Sequence, residues 1–269
     1  MLILGVRMIK KKGQVTIFII IGMIFLTSIF LLINFKNSLI YESTDSLIIE
    51  QSTESVKILV EGCIKEIGEK AIQTISYFGG YNNLIEPYFE YEEIMSNYLY
   101  YIGEKRSLTI EEVENNLAEL MNNYLLHCLP KDFDNKDKLI DYDELVFQGL
   151  EIETKEINTV VDIKEKSIDF IINWPLTIKT ESSETTIEDF SPVEISANLK
   201  QMITFTNELM TKIESNPHYI DLFFILQQNF TVDFSFLNND TYLIEIVDDK
   251  SIINDETLYF QFVTKLNLE

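Results

Sequence analysis

Hydrophobic residues follow three different patterns along the chain. From Gly13 to Phe35 there are 23 residues without a charge, mostly Ile, Phe, Leu and Val. As a helix, such a run is about 35 Å long, enough for a hydrocarbon core of about 30 Å. From residue 54 the period becomes helical. Val56, Leu59, Val60, Cys63, Ile64, Ile67, Ala71, Ile72, Ile75 and Phe78 fall on one stripe, and Gly79-Gly80 gives a natural stop. A second helix is predicted from Thr109, whose spacing to Glu112 makes a capping box. Its stripe is Val113, Leu117, Leu120, Met121, Tyr124, Leu125 and Cys128, closed by Pro130. The tyrosine-rich segment between them, Tyr77 to Tyr101, reads as a further helix or two around Pro87, with the tyrosines packing between helices in preference to presenting a binding surface.

Beyond a polar segment at 131–144 the period changes to two. Leu145 to Ile152, Thr159 to Ile163 and Ile168 to Thr180 read as strands, with a turn at Lys164 to Lys166 and an edge or bend at Trp174-Pro175. A helix is predicted over Ile195 to Ile213, ended by Asn216-Pro217, and a shorter one over Tyr219 to Gln228. Strands follow at Phe230 to Leu237, Thr241 to Val247 and Leu258 to Thr264, with a turn at Asn238-Asn239-Asp240. The expected fold class is α+β. An N-terminal transmembrane helix leads into an extracytoplasmic domain with a helical half and an antiparallel sheet of five or six strands. The expected organisation is a basic leader at 1–13, a membrane helix at 14–35, a helical region at 36–130 and an α+β region at 131–269.

Charge fixes an orientation. The formal net charge is −23. Residues 1–36 hold five of the 21 bases and no acid, which leaves 16 bases against all 44 acids and a net of −28 for the remainder. Four cations precede the apolar run and only Lys36 follows it before Glu42, so the positive-inside rule keeps the N-terminus cytoplasmic and exports the acidic domain. Met8 as an alternative start would give a compact basic leader. The acidity argues against nucleic-acid binding and against contact with anionic lipid heads. A secretory signal has an apolar stretch of only about 7–15 residues and then small residues at a cleavage site. This run is longer, and it exits through Ile33, Asn34, Phe35 and Lys36.

The residues Lys12-Gly13-Gln14-Val15-Thr16-Ile17-Phe18 resemble the class III, prepilin-like signal of archaeal surface proteins. The resemblance covers about residues 10 to 35. It implies a prepilin-type peptidase cutting between Gly13 and Gln14, with the apolar helix left in place after the cut. Many pilin-like members carry Glu at the fifth mature position, where this chain has Phe18, a departure that counts against polymerisation. The whole chain is also similar to single-span surface proteins of small-genome archaea, which bring no activity to transfer.

Chemistry is sparse. Cys63 and Cys128 each lie on a buried helical stripe, and they are the chain's two cysteines. Outside the membrane they suggest one helix-to-helix bridge; two unbonded core residues, or a thiol served by His127, are the alternatives. The segment 131–144 invites a calcium loop aligned on Asp132, but Lys136, Asp137 and Asp143 fall where that motif needs other residues, so no metal site is expected. Sequons occur at Asn229 and Asn239; the second, on a predicted hairpin turn, is the better acceptor. Asp248-Asp249 could face a site, but a polar turn is the favoured reading. No nucleophile elbow, phosphate loop or zinc-helix motif is present, so neither catalytic residues nor a cofactor is expected. The function expected is a membrane-anchored surface protein, held in the lipid bilayer through 14–35, with a structural role or a protein or cell-envelope partner. A pilin-like filament subunit polymerising through that helix is the alternative, and an anchored enzyme comes third.

Overall fold

The computed structural model describes residues 53–91, 94–129, 150–180, 183–217, 219–238 and 240–266, all but Ser183 within one compact unit. The leader, the 14–35 run and the 131–144 segment lie outside the described residues. Among those described, no helix is long and apolar enough to cross a membrane. The fold is mixed α+β, as the periodicities imply, but the strands form two sheets rather than one.

Helix α1 spans 53–77, and its predicted stripe is buried from Val56 to Ile75 except at the half-buried Leu59. Gly79 and Gly80 end it with φ of 67° and 94°, and the Gly80 N–H donates back to the Ile75 carbonyl at 2.8 Å. That bond across the helix end needs left-handed residues, which glycine supplies without strain. Helix α2, Ile110–Tyr124, continues into a 3-10 turn, Leu125–Cys128. The Thr109 hydroxyl accepts from the Glu112 N–H at 3.1 Å, and the Glu112 carboxylate accepts from the Thr109 N–H at 2.9 Å. Thr109→Ala removes one side of this reciprocal cap and is expected to cost about 1 kcal/mol in denaturant unfolding. A cost below about 0.3 kcal/mol would show that water replaces the cap.

The tyrosine-rich segment departs from the helical expectation. It forms strands β1, Tyr88–Tyr91, and β2, Ile94–Tyr101, followed by the short β3, Glu104–Lys105. The Glu86-Pro87 peptide is cis. Tyrosine favours strands, and the segment has no 3.6-residue stripe to hold a helix. Asn97, fully buried on β2, donates to the carbonyls of Phe78 and Asn83 and accepts from the Ile85 N–H, which pins the loop ahead of β1.

The first sheet runs β1-β2-β11-β10-β9, with β3 also on β2. Here β9 is Thr231–Asn238, β10 Thr241–Ile253 and β11 Glu256–Lys265. β11 pairs with β2 in parallel, so this sheet is not purely antiparallel. The second sheet is built on one long strand, β6, Ser167–Lys179. β5, Asn158–Ile163, and β4, Glu151–Thr154, pair with successive parts of one flank. β8, Val193–Ser196, and β7, Glu184–Asp189, divide the other flank in the same way. Trp174-Pro175 falls where β5 gives way to β4 and where pairing with β7 shifts register. β6 is therefore a central strand with a bend rather than an edge, and the missing proline N–H interrupts no ladder.

Helices cover these sheets. Gly68 of α1 lies against Ile195 and Phe170, where a Cβ would stand 3.0 Å from the Ile195 methyl. The side chains of Asn122 and Glu114 on α2 accept from the N–H groups of Thr159 and Ile163, so the helix satisfies the open edge of β5. Helix α3, Leu199–Ser215, buries Leu199, Met202, Ile203, Phe205, Leu209, Met210 and Ile213. Ile195, expected on this helix, belongs to β8 instead. A five-residue helix α4, Leu222–Leu226, follows, shorter than the predicted span. One continuous core joins α1, α2, α3 and both sheets, with Trp174, Phe170, Phe260 and Phe262 fully buried.

Candidate functional site

The site begins at a conflict in the alternation of β10. Ile244 and Ile246 point into the core, and a period of two puts Asp248 in the same row. A carboxylate there needs donors. Pairing between β10 and β11 shifts between Asp248 and Ile252, so residues 249–251 bulge out and fold back over the side chain. The Lys250 N–H donates to Asp248 Oδ1 at 3.2 Å, and the Ser251 hydroxyl donates to Oδ2. Asp248 is 1% exposed. It is a buried structural acid within a strand, not the polar turn expected from the sequence.

The third donor comes from the other sheet. β8 ends at Ser196, and the Ala197 N–H bonds the Lys166 carbonyl in the β5–β6 turn at 3.0 Å. Asn198 then starts α3. Its amide Nδ2 donates to Asp248 Oδ2 at 2.7 Å, and its backbone N–H donates to the Ser251 hydroxyl at 3.0 Å. The asparagine ahead of α3 therefore ties the two sheets together and does not cap its own helix. The sequence separation is 50 residues, beyond any local pattern.

Around this tie lies a cleft of about 470 Å³. Its walls include Lys166, Gln201, Asn229, Phe230 and Lys250 along with the Asp248–Ser251 bulge. Lys166 and Lys250 are exposed and form no ion pair among the described residues, whereas seven other lysines are paired. The cleft offers ammonium, amide and hydroxyl groups to a small polar molecule. No group of three metal-ligating side chains occurs among the described residues. Asp248 is held by three donors, so its immediate task is to join two sheets.

The sequence-predicted residues are distributed widely. Cys63 and Cys128 are joined in a disulfide, with Cα atoms 5.9 Å apart and both side chains buried. His127 is exposed on the 3-10 turn while its neighbour Cys128 faces the core. Asn229 is exposed at the rim of the cleft, so burial does not bar it as an acceptor. Gly13, Gln14 and Asn239 lie outside the described residues. The Ile244–Ile246 row carried a signal for Asp248 that the turn reading passed over; Asn198, Lys166 and Ser251 carried no comparable signal. Comparison with family models, with curated proteins and with solved structures gives no match, so the reading of function rests on the chain's own residues.

Proposed function

We propose that this chain is a single-span surface protein. Residues 14–35 hold it in the bilayer, and the α+β domain stands on the extracytoplasmic side as a structural or partner-binding module rather than an enzyme. The observation that carries this reading is the Cys63–Cys128 disulfide, which takes up both cysteines of the chain. Such bonds form and persist in oxidising compartments and are rare where thiol reductants are abundant. The net charge of −28 beyond residue 36 agrees with a solvated surface domain and favours a partner with a basic face. Processing between Gly13 and Gln14 by a prepilin-type peptidase fits this reading, because the apolar helix would stay attached.

The test uses the full chain in intact cells. A membrane-impermeant amine label is expected to reach the exposed lysines before permeabilisation, and an alkaline carbonate wash is expected to leave the protein with the membranes. N-terminal sequencing is expected to begin at Gln14. Labelling only after permeabilisation would overturn the topology; release by carbonate would overturn the anchor.

A further inference from the structure

Helix α4 carries apolar side chains outward. Leu222, Phe223 and Leu226 are 63%, 73% and 81% exposed, and Tyr219 just before them is 59% exposed. Positions 222, 223 and 226 share one face of a helix. The opposite face is used: Phe224 stacks on Phe205 of α3 at 5.3 Å between ring centroids, and Ile225 is buried. The fold therefore fixes the helix from below and leaves a Leu-Phe-Leu face in solvent. Single exposed apolar residues are ordinary, whereas a contiguous apolar patch of several hundred Å² is often functional.

Charge narrows the partner. Residues 222–232 hold no acid or base in a chain of net charge −23. Of the two acids bordering this stretch, Asp221 is ion-paired with Lys212 at 3.0 Å and Asp233 is exposed. The Phe224 N–H first and the Lys212 ammonium second hold the Asp221 carboxyl below its usual range. The outward residues of α4 thus carry no charge of their own in a strongly acidic chain. A second copy fits it poorly. Four side chains of this size expose on the order of 500 Å², short of the roughly 800 Å² per partner of a standard interface, and two strongly acidic bodies repel each other.

We infer that the exposed face of α4 inserts into the headgroup region of an uncharged lipid surface, the bilayer that carries this chain's own anchor. The inference rests on the anchored reading above and names a partner for it. Seventeen residues, 36–52, separate the apolar run from the described domain. Fully extended they reach about 60 Å, more than the roughly 45 Å diameter expected for a domain of this size. Tethering to that bilayer raises the local lipid concentration enough for a small patch to bind. Acidic lipid heads would weaken the contact by repelling the rest of the domain.

The chain's one tryptophan, Trp174, is fully buried, which supplies the test with an internal reference. The full chain carrying Phe223→Trp is reconstituted in phosphatidylcholine bilayers with and without bromine on the upper acyl chain. The introduced indole is expected to lose about half its emission in brominated bilayers, as suits a face lying at the headgroup–acyl boundary. The Trp174 emission of the unmodified chain is expected to stay unchanged. Adding Leu222→Ser and Leu226→Ser is expected to abolish the quenching with the Trp174 signal intact, and anionic lipid is expected to reduce it. Retention after an alkaline wash without quenching would overturn the inference and leave the anchor standing. A blue-shifted emission that bromine does not quench would overturn it in favour of a protein partner. Release by the wash would overturn the anchor. Added brominated vesicles would then decide the patch by itself, quenching supporting lipid contact and its absence overturning it.

Discussion

Replacing Cys63 and Cys128 together by Ala is expected to lower the stability of the domain by roughly 4 kcal/mol. The bond closes a loop across 65 residues of sequence, and its loss returns that loop's freedom to the unfolded chain. For a domain of this size the change corresponds to a fall in Tm of about 10 °C. Both positions must change together, since a single substitution leaves an unpaired thiol in the core. Calorimetry of the double variant, and of the unmodified chain under reductant, should give the same shift. A fall under about 3 °C in both would mean that the unfolded chain is already restricted around this loop and that the bond adds little. The bond joins α1 to the end of α2, so hydrogen exchange should rise first at those two elements when it is absent.

Asp248→Ala is expected to cost about 3 kcal/mol, because it strands the Asn198 amide, the Ser251 hydroxyl and the Lys250 N–H in one place. Asp248→Asn keeps the shape and one acceptor oxygen, so its cost should fall between that of Ala and zero. A double-mutant cycle with Asn198→Ala isolates the tie between sheets and should show a coupling of about 1 kcal/mol or more. A cost for Asp248→Ala within about 0.5 kcal/mol would show that the carboxylate is not what joins the sheets. The cleft itself gives a second readout. Its wall is the Asp248–Ser251 bulge, so the Lys250 amide, which donates to Asp248, should lose protection in the Ala variant while those of β5 keep theirs.

Much of the fold was legible because it rests on short-range rules. The stripe of α1, its double-glycine stop and the Thr109–Glu112 capping box depend on spacings of a few residues. Each appears in the structure where the spacing puts it. The facing cysteines were legible for the same reason, since each lay on a buried stripe. The strands of β5, β6, β9, β10 and β11 followed from alternation. The tyrosine-rich segment was misread as helix because tyrosines at close spacing suit either state, and the choice fell to pairing with β11, about 160 residues away. Asp248 was misread as a turn because two adjacent acids usually seek water, and only the donors brought by α3 and the bulge let one of them be buried.

The sequence by itself determined the long uncharged run and its basic flank, the acidity of everything after it, the amphipathic helices and the alternating strands. These properties are carried by neighbouring residues and survive whatever the rest of the chain does. The tertiary structure decided the rest: that the strands divide into two sheets around a long β6, that Asn198 and Asp248 meet across 50 residues to wall a cleft, and that α4 turns Leu222, Phe223 and Leu226 outward. Each of these depends on which distant surfaces share one core. That choice minimises exposed apolar area and unpaired polar groups over the whole molecule at once, and no local window of sequence contains it.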